Sequence, residues 1–243
     1  AFMRYRPGIN GTNKSSIVNV DMDGTSANSS TTEGVTIWSS DGITYERNRL
    51  VNFDKMGLII VDGYISVRNE NLFKDSGRGV SCQATAPLNS AIKIGYKNSG
   101  IHRNYFTNTT TAIECYGANG LYSGQLEIYE NEISGGNVGM NLQGDNDYKI
   151  GYNHLTNQTY GIASVNSGGY SNLTHCNTLQ NNLYGLLYNG NNSLTQFKYN
   201  DLLESSGNEV LVFSLTNTPT ELRNNQGIAG DPAENCFGTA EQT

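Results

Sequence analysis

Two kinds of side chain in this sequence are equipped for surface chemistry: a sparse set of acids and bases, and a larger set of aromatic rings. Asp145 and Asp147, one residue apart, form the close acidic pair near the middle of the chain. Paired carboxylates are what glycoside hydrolysis requires, with one acting as general acid. Arg103 and His154 complete the catalytic candidates. Glu130 and Glu132, with Asp145 and Asp147, are candidate calcium ligands, because a hard cation wants several oxygens; the expected cofactor is none, or calcium. Trp38, Tyr105, Tyr116 and Tyr152 are the candidate rings for stacking on sugars. The histidines (His102, His154, His175) are too scattered to suggest a metal site. Nothing in the sequence context supports a Ser-His-Asp or Cys-His nucleophile.

What positions these residues is a thin, polar scaffold. Hydrophobic residues make up 36% of the chain and charged residues only 15%, so Asn, Ser, Thr and 28 Gly fill the difference. Such a composition does not build one thick core. Disorder is disfavoured, because apolar residues recur at regular places and the net charge of −7 is modest. That negative charge argues against nucleic acid as a partner. No apolar run is long enough for a membrane-spanning helix.

The regularity is a repeat. Gly or Ala followed by an aliphatic residue recurs at Gly34-Val35, Gly57-Leu58, Gly79-Val80, Ala112-Ile113, Gly139-Met140, Gly161-Ile162 and Gly185-Leu186, with Glu209-Val210 in register. The unit is ~22 residues, with two longer steps that read as insertions near 84–100 and 117–127. Ahead of most anchors runs a second element: an aliphatic or aromatic residue, two residues, Asn, one residue, an apolar residue. Ile128 to Ile133 around Asn131, Ile150 to Leu155 around Asn153, and Phe197 to Leu202 around Asn200 are examples. One unit makes one coil of short strands, with alternate residues inward. Stacking the coils buries the inward rows continuously. Asn at the fixed turn is expected to take the left-handed conformation and to form a ladder of amide bonds along the axis. Gly before the anchor is expected to supply a tight turn. A leucine-rich repeat is disfavoured, since the units lack its helical half.

These units resemble the right-handed parallel β-helix proteins of the pectin-lyase-like superfamily, and most closely the secreted bacterial type. The resemblance covers roughly 30–225 and implies an all-β, single-stranded right-handed parallel β-helix of about eight coils. The expected layout is one β-helix domain over 1–243: an irregular first coil or cap over 1–30, repeat coils over 31–225, and a C-terminal cap or linker over 226–243. Polyuronide chemistry in that group uses a Lys or Arg base with calcium held by carboxylates, for which Arg49, Arg103 and Lys149 are the possible bases. No family catalytic motif is matched at these positions, so no catalytic role carries over.

Mapped on the repeat, Cys82 and Cys115 fall at the same inward position of neighbouring coils, as buried thiols or as a disulfide. Cys176 and Cys236 are a second conceivable pair, at the C-terminal cap. The outward stripe of the anchor strands is apolar, with Trp38, Val61, Tyr116 and Val165, joined by Ile59 and Leu187. It reads as a sugar platform, as a surface for homo-oligomers, or as a face covered by the insertions. The expected function is a secreted or cell-surface module, part of a larger protein, that binds a polysaccharide, another glycan or a surface partner. The alternative is a lyase or hydrolase acting on an acidic polysaccharide.

Overall fold

The computed structural model describes residues 15–26, 33–84, 91–97, 103–117, 125–144, 147–167, 172–213, 221–222, 226 and 232–238. Its strands pair in parallel and stack into a solenoid of about seven turns with three faces. The anchor face stacks the first parts of Glu33–Glu46 and Met56–Arg68, then Arg78–Ala84, Thr111–Gly117, Val138–Gln143, Tyr160–Val165, Tyr184–Asn189 and Asn208–Phe213. The leading face holds Ser15–Val18, the second parts of the two long strands, Ala91–Ile94, Gln125–Tyr129, Tyr148–Gly151, Leu173–His175 and Gln196–Lys198. The long strands bend between these two faces at Gly42 (φ 73°) and at Asp62 and Gly63 (φ 53° and 113°). The short face is a 9-stranded sheet of three-residue strands, including Tyr105–Thr107, Glu132–Ser134, His154–Thr156, Thr178–Gln180 and Asp201–Leu203. Cys236–Gly238, inside the expected cap, adds its last strand.

The register follows the repeat. Val80 pairs with Ile113, Ile113 with Met140, Met140 with Ile162 and Ile162 with Leu186. Each of these side chains is buried, as are Leu50, Phe73, Phe106, Ile133, Leu155, Leu179 and Leu202 on the short face. Burying each such side chain stabilises by about 1.5–3 kcal/mol. The Phe73 and Phe106 rings stack with centroids 4.9 Å apart. Cys82 and Cys115 are register partners, buried, and unbridged. Cys176 and Cys236 are unbridged too. They sit on opposite sides of a ladder asparagine, in coils separated by the one that carries Asn200.

The asparagine ladder runs between the leading and short faces. The Nδ2 group of Asn71 donates to Oδ1 of Asn104 at 2.8 Å. The same bond repeats from Asn104 to Asn131, Asn131 to Asn153, Asn153 to Asn177, and Asn177 to Asn200, each at 2.9 Å. Asn48 at one end and Asn235 at the other extend it.

Two expectations about the turns need correction. The left-handed residue at this corner is the one before Asn: Arg47, Glu70, Glu130, Tyr152, Cys176, Tyr199 and Glu234, with φ between 40° and 62°. The ladder asparagines themselves are not left-handed, because their amides must face inward to bond along the axis. The anchor glycines make no turn either. A Cβ on Gly139 would lie 2.5 Å from the Gly161 carbonyl oxygen and 2.5 Å from Leu155 Cδ2. Glycine is there because coil backbone and a core side chain approach too closely for anything larger.

Candidate functional site

The outside of the asparagine corner gathers the chemistry. Three columns of side chains run along it, one residue per coil. The short-face column is Tyr105, Glu132, His154, Thr178 and Asp201 in direct register. The corner column is the left-handed row that includes Glu130 and Tyr152. The leading-face column runs Tyr129, Gly151, His175 and Lys198. Beneath all three lies the ladder, whose buried amide bonds fix the spacing.

Of the sequence candidates, Arg103, Glu132 and His154 come together. Glu132 Oε1 lies 2.7 Å from His154 Nδ1, and Arg103 Nη1 donates to Glu132 Oε2 at 3.2 Å. Both carboxylate oxygens of Glu132 are thereby engaged. All three side chains are substantially exposed, so these pairs orient one another more than they stabilise the fold. Glu130 lies at the corner, while Asp147 lies at the far end of the Tyr148–Gly151 strand, where its N–H donates to Asn172 Oδ1. Asp145 lies outside the described residues. Among the described residues no set of three or more His, Cys, Asp or Glu converges on a cation position. Near the first turn, Asp21 pairs with Arg49, and Asp23 is held down to about 2, chiefly by the Asn52 amide and then by Thr25.

The aromatic candidates divide. Trp38 is exposed on the anchor face, near its first turn. Ile59, Val61 and Leu187 on the same stripe are 7–8% exposed, so the stripe is not the open apolar surface its composition suggests. Tyr105 is exposed on the short face. Tyr152 packs against other rings. It is 47% exposed at the corner, and His175 meets it edge-on at 5.4 Å between centroids. Tyr129 lies 6.5 Å from Tyr152 and 5.9 Å from His175. The His175 and Tyr129 rings close over Gly151, where an added Cβ would lie 2.6 Å from His175 Nε2 and 2.8 Å from Tyr129 Cε1. Lys97 Nζ sits 5.9 Å from the Tyr129 ring centre. Burial, with Glu127 adding to it, pushes the Tyr129 hydroxyl up to about 12, so the ring stays neutral.

Burial, then Lys97 and Lys149, hold the His175 imidazole below its usual range. Above ~pH 6.5 the ring is neutral in both the folded and the unfolded chain. As pH falls through that value the unfolded chain takes a proton that the folded ring resists. His175 therefore subtracts stability progressively, until the folded ring is protonated as well. The urea midpoint is expected to fall between pH 7.5 and pH 5, and to fall less in His175→Gln. An equal fall in both proteins would show that His175 is not the group responsible.

A second ionic centre was not legible in the sequence. Glu114, on the outward side of the anchor face, is 4% exposed. Arg78 Nε pairs with its Oε2, and the Tyr116 hydroxyl donates to its Oε1. Asn141 Nδ2 donates to the same Oε1 at 3.4 Å. Burial and then its own bond to Glu114 raise the Tyr116 hydroxyl above its ordinary value, so Tyr116 is a clamp on a carboxylate and not a free stacking ring. The available signal was position: Glu114 follows an anchor and sits on a stripe otherwise rich in apolar residues.

No helix is long and apolar enough to cross a membrane among the described residues. Compared with known proteins, the chain matches no family model, no curated protein and no solved structure, so the parallel β-solenoid rests on its own register.

Proposed function

We propose that this chain is a glycan-binding β-solenoid of the pectin-lyase-like kind, working outside the cell or at its surface, with the asparagine corner as its binding edge. The observation that carries this reading is the Tyr129–Tyr152–His175 cluster. An exposed ring backed by two others offers a stiff apolar plane, and pyranose C–H faces stack on such planes. Around it stand Arg103, Glu130, Glu132 and His154, a mixed set of donors and acceptors suited to sugar hydroxyls. The ladder keeps the edge in place, so little conformational entropy is lost on binding.

The test is binding of the protein to immobilised plant, algal and bacterial polysaccharides, with oligosaccharide titration for any that retain it. Tyr152→Ala is expected to weaken binding about tenfold or more, equivalent to ~1.4 kcal/mol, with an unchanged urea midpoint. Binding unaffected by Tyr152→Ala would move the site off this corner.

A second reading, a lyase or hydrolase on an acidic polysaccharide, is favoured by the Glu132–His154 bond beside Arg103. A reducing-end release assay with and without calcium decides between them. Release abolished by His154→Gln would make the corner an active site, and binding without release supports the module.

A further inference from the structure

The chain carries a net charge of −7, yet its leading face is locally basic. Arg68, Lys93, Lys149 and Lys198 lie in its outward rows, and Lys97 lies just past one strand. The carboxylates in those rows are Glu46 and Glu127. Each is paired: Glu46 accepts from Arg68 Nε at 2.8 Å, and Glu127 from Lys93 at 2.8 Å.

Where this face bends toward the anchor face it holds a groove of ≈250 Å³. Buried Ile43 and Ile65 form its floor, with Thr44, Ser66, Arg68 and Lys93 around it and the exposed Tyr64 ring at its side. The groove thus offers an aromatic plane, two hydroxyls and two cations, and none of its lining residues is acidic. Glu46 and Glu127 stand outside that lining and bond to the two cations, holding them in position.

We propose that this groove is a subsite for a sugar bearing a carboxylate or sulfate, with its ring on Tyr64 and its anion between Arg68 and Lys93. The proposal rests on the glycan reading and adds to it a second contact point and a charge requirement. From the strand that carries Tyr64 to Tyr148–Gly151, the strand before Tyr152, there are three parallel steps. At ~4.8 Å per step the two contacts are on the order of 14 Å apart along the axis, and the five residues from the Tyr64 row to Tyr152 add on the order of 16 Å across the face, a diagonal that one linear acidic oligosaccharide of several sugars bridges. Nucleic acid is the competing polyanion and would meet the same cations, so the oligonucleotide arm of the experiment separates it from a sugar.

The experiment measures affinity of the full chain for an oligogalacturonate, a sulfated glycosaminoglycan fragment, a neutral xylo-oligosaccharide and a single-stranded oligonucleotide, each at low and high salt. Lys93→Gln and Tyr64→Ala are compared with wild type, and circular dichroism confirms that each variant folds. The expected result is preference for one of the two acidic glycans, with affinity falling with salt. Both variants should lose about tenfold for that glycan, while Lys93→Gln leaves any binding of the neutral one unchanged. Which acidic glycan wins assigns the anion as carboxylate or sulfate. Equal affinity for neutral and acidic glycans, with Tyr152→Ala still weakening both, would overturn the subsite and leave the corner standing. Tighter binding of the oligonucleotide would overturn the subsite's assignment to a sugar. Failure of every glycan to bind would overturn the glycan reading, and the subsite with it.

Discussion

Replacing Asn153 with alanine is expected to lower the unfolding free energy by about 3–5 kcal/mol, read from urea denaturation. Asn153 is buried, and its side chain makes five bonds. Nδ2 donates to the carbonyls of Ile128 (2.9 Å) and Gly151 (3.0 Å) and to Oδ1 of Asn177 (2.9 Å). Oδ1 accepts from the backbone N–H and the Nδ2 of Asn131, at 3.0 and 2.9 Å. Alanine leaves partners on three coils unsatisfied, in a place water does not reach, and each carries a desolvation cost. Asn153→Asp retains the acceptor but loses the donors and turns a carboxylate toward carbonyl oxygens, so it should be no milder. Asn235→Ala, at the partly exposed end of the ladder, should cost less. A loss below about 1 kcal/mol for Asn153→Ala would mean the ladder is ornament on a fold held by its apolar rows.

Gly161→Val is the other change with a large effect, expected at about 3 kcal/mol or more. A Cβ at Gly161 would stand 2.6 Å from the Gly185 carbonyl oxygen and 2.7 Å from Leu179 Cδ2. The first contact is with the backbone of the next coil, which moves only if the stack opens. Ala112 provides the comparison, since it holds the equivalent position with a Cβ in place and is buried. Ala112→Gly is expected to cost only about 0.5–1 kcal/mol. Comparable midpoints for the two variants would show that the anchor glycines are not set by coil contact.

The repeat was legible because inward residues answer to packing, and packing imposes a period. The anchors, the neighbouring Cys82 and Cys115, and the amide ladder all follow from it. Asn71 escaped the pattern for a local reason. Its corner carries an extra residue, with Asn69 and Glu70 both left-handed (φ 61° and 62°), so the apolar residue ahead of it sits one place too early. Asn235 escaped because the residues before it lack the apolar lead. The surface was less legible. Outward residues carry no packing period, and their partners depend on which coils become adjacent. Glu132 and His154 share the outward position after the repeat Asn, and Arg103 the stripe before it, so their common face was legible; that they bond to one another needed the side-chain geometry. Glu114 with Arg78, and the basic leading face inside an acidic chain, needed the register as well.

The left-handed residue before seven of the ladder asparagines has a further consequence. Arg, Glu, Tyr and Cys all occupy that backbone conformation at these corners. The conformation is imposed from beneath, by asparagines that bond to one another whatever the neighbouring side chain is. Scaffold and display are thus assigned to adjacent but separate residues. One exposed corner residue can be exchanged for another while the interior stays as it was. A single substitution there needs none of the compensating changes that a buried position demands.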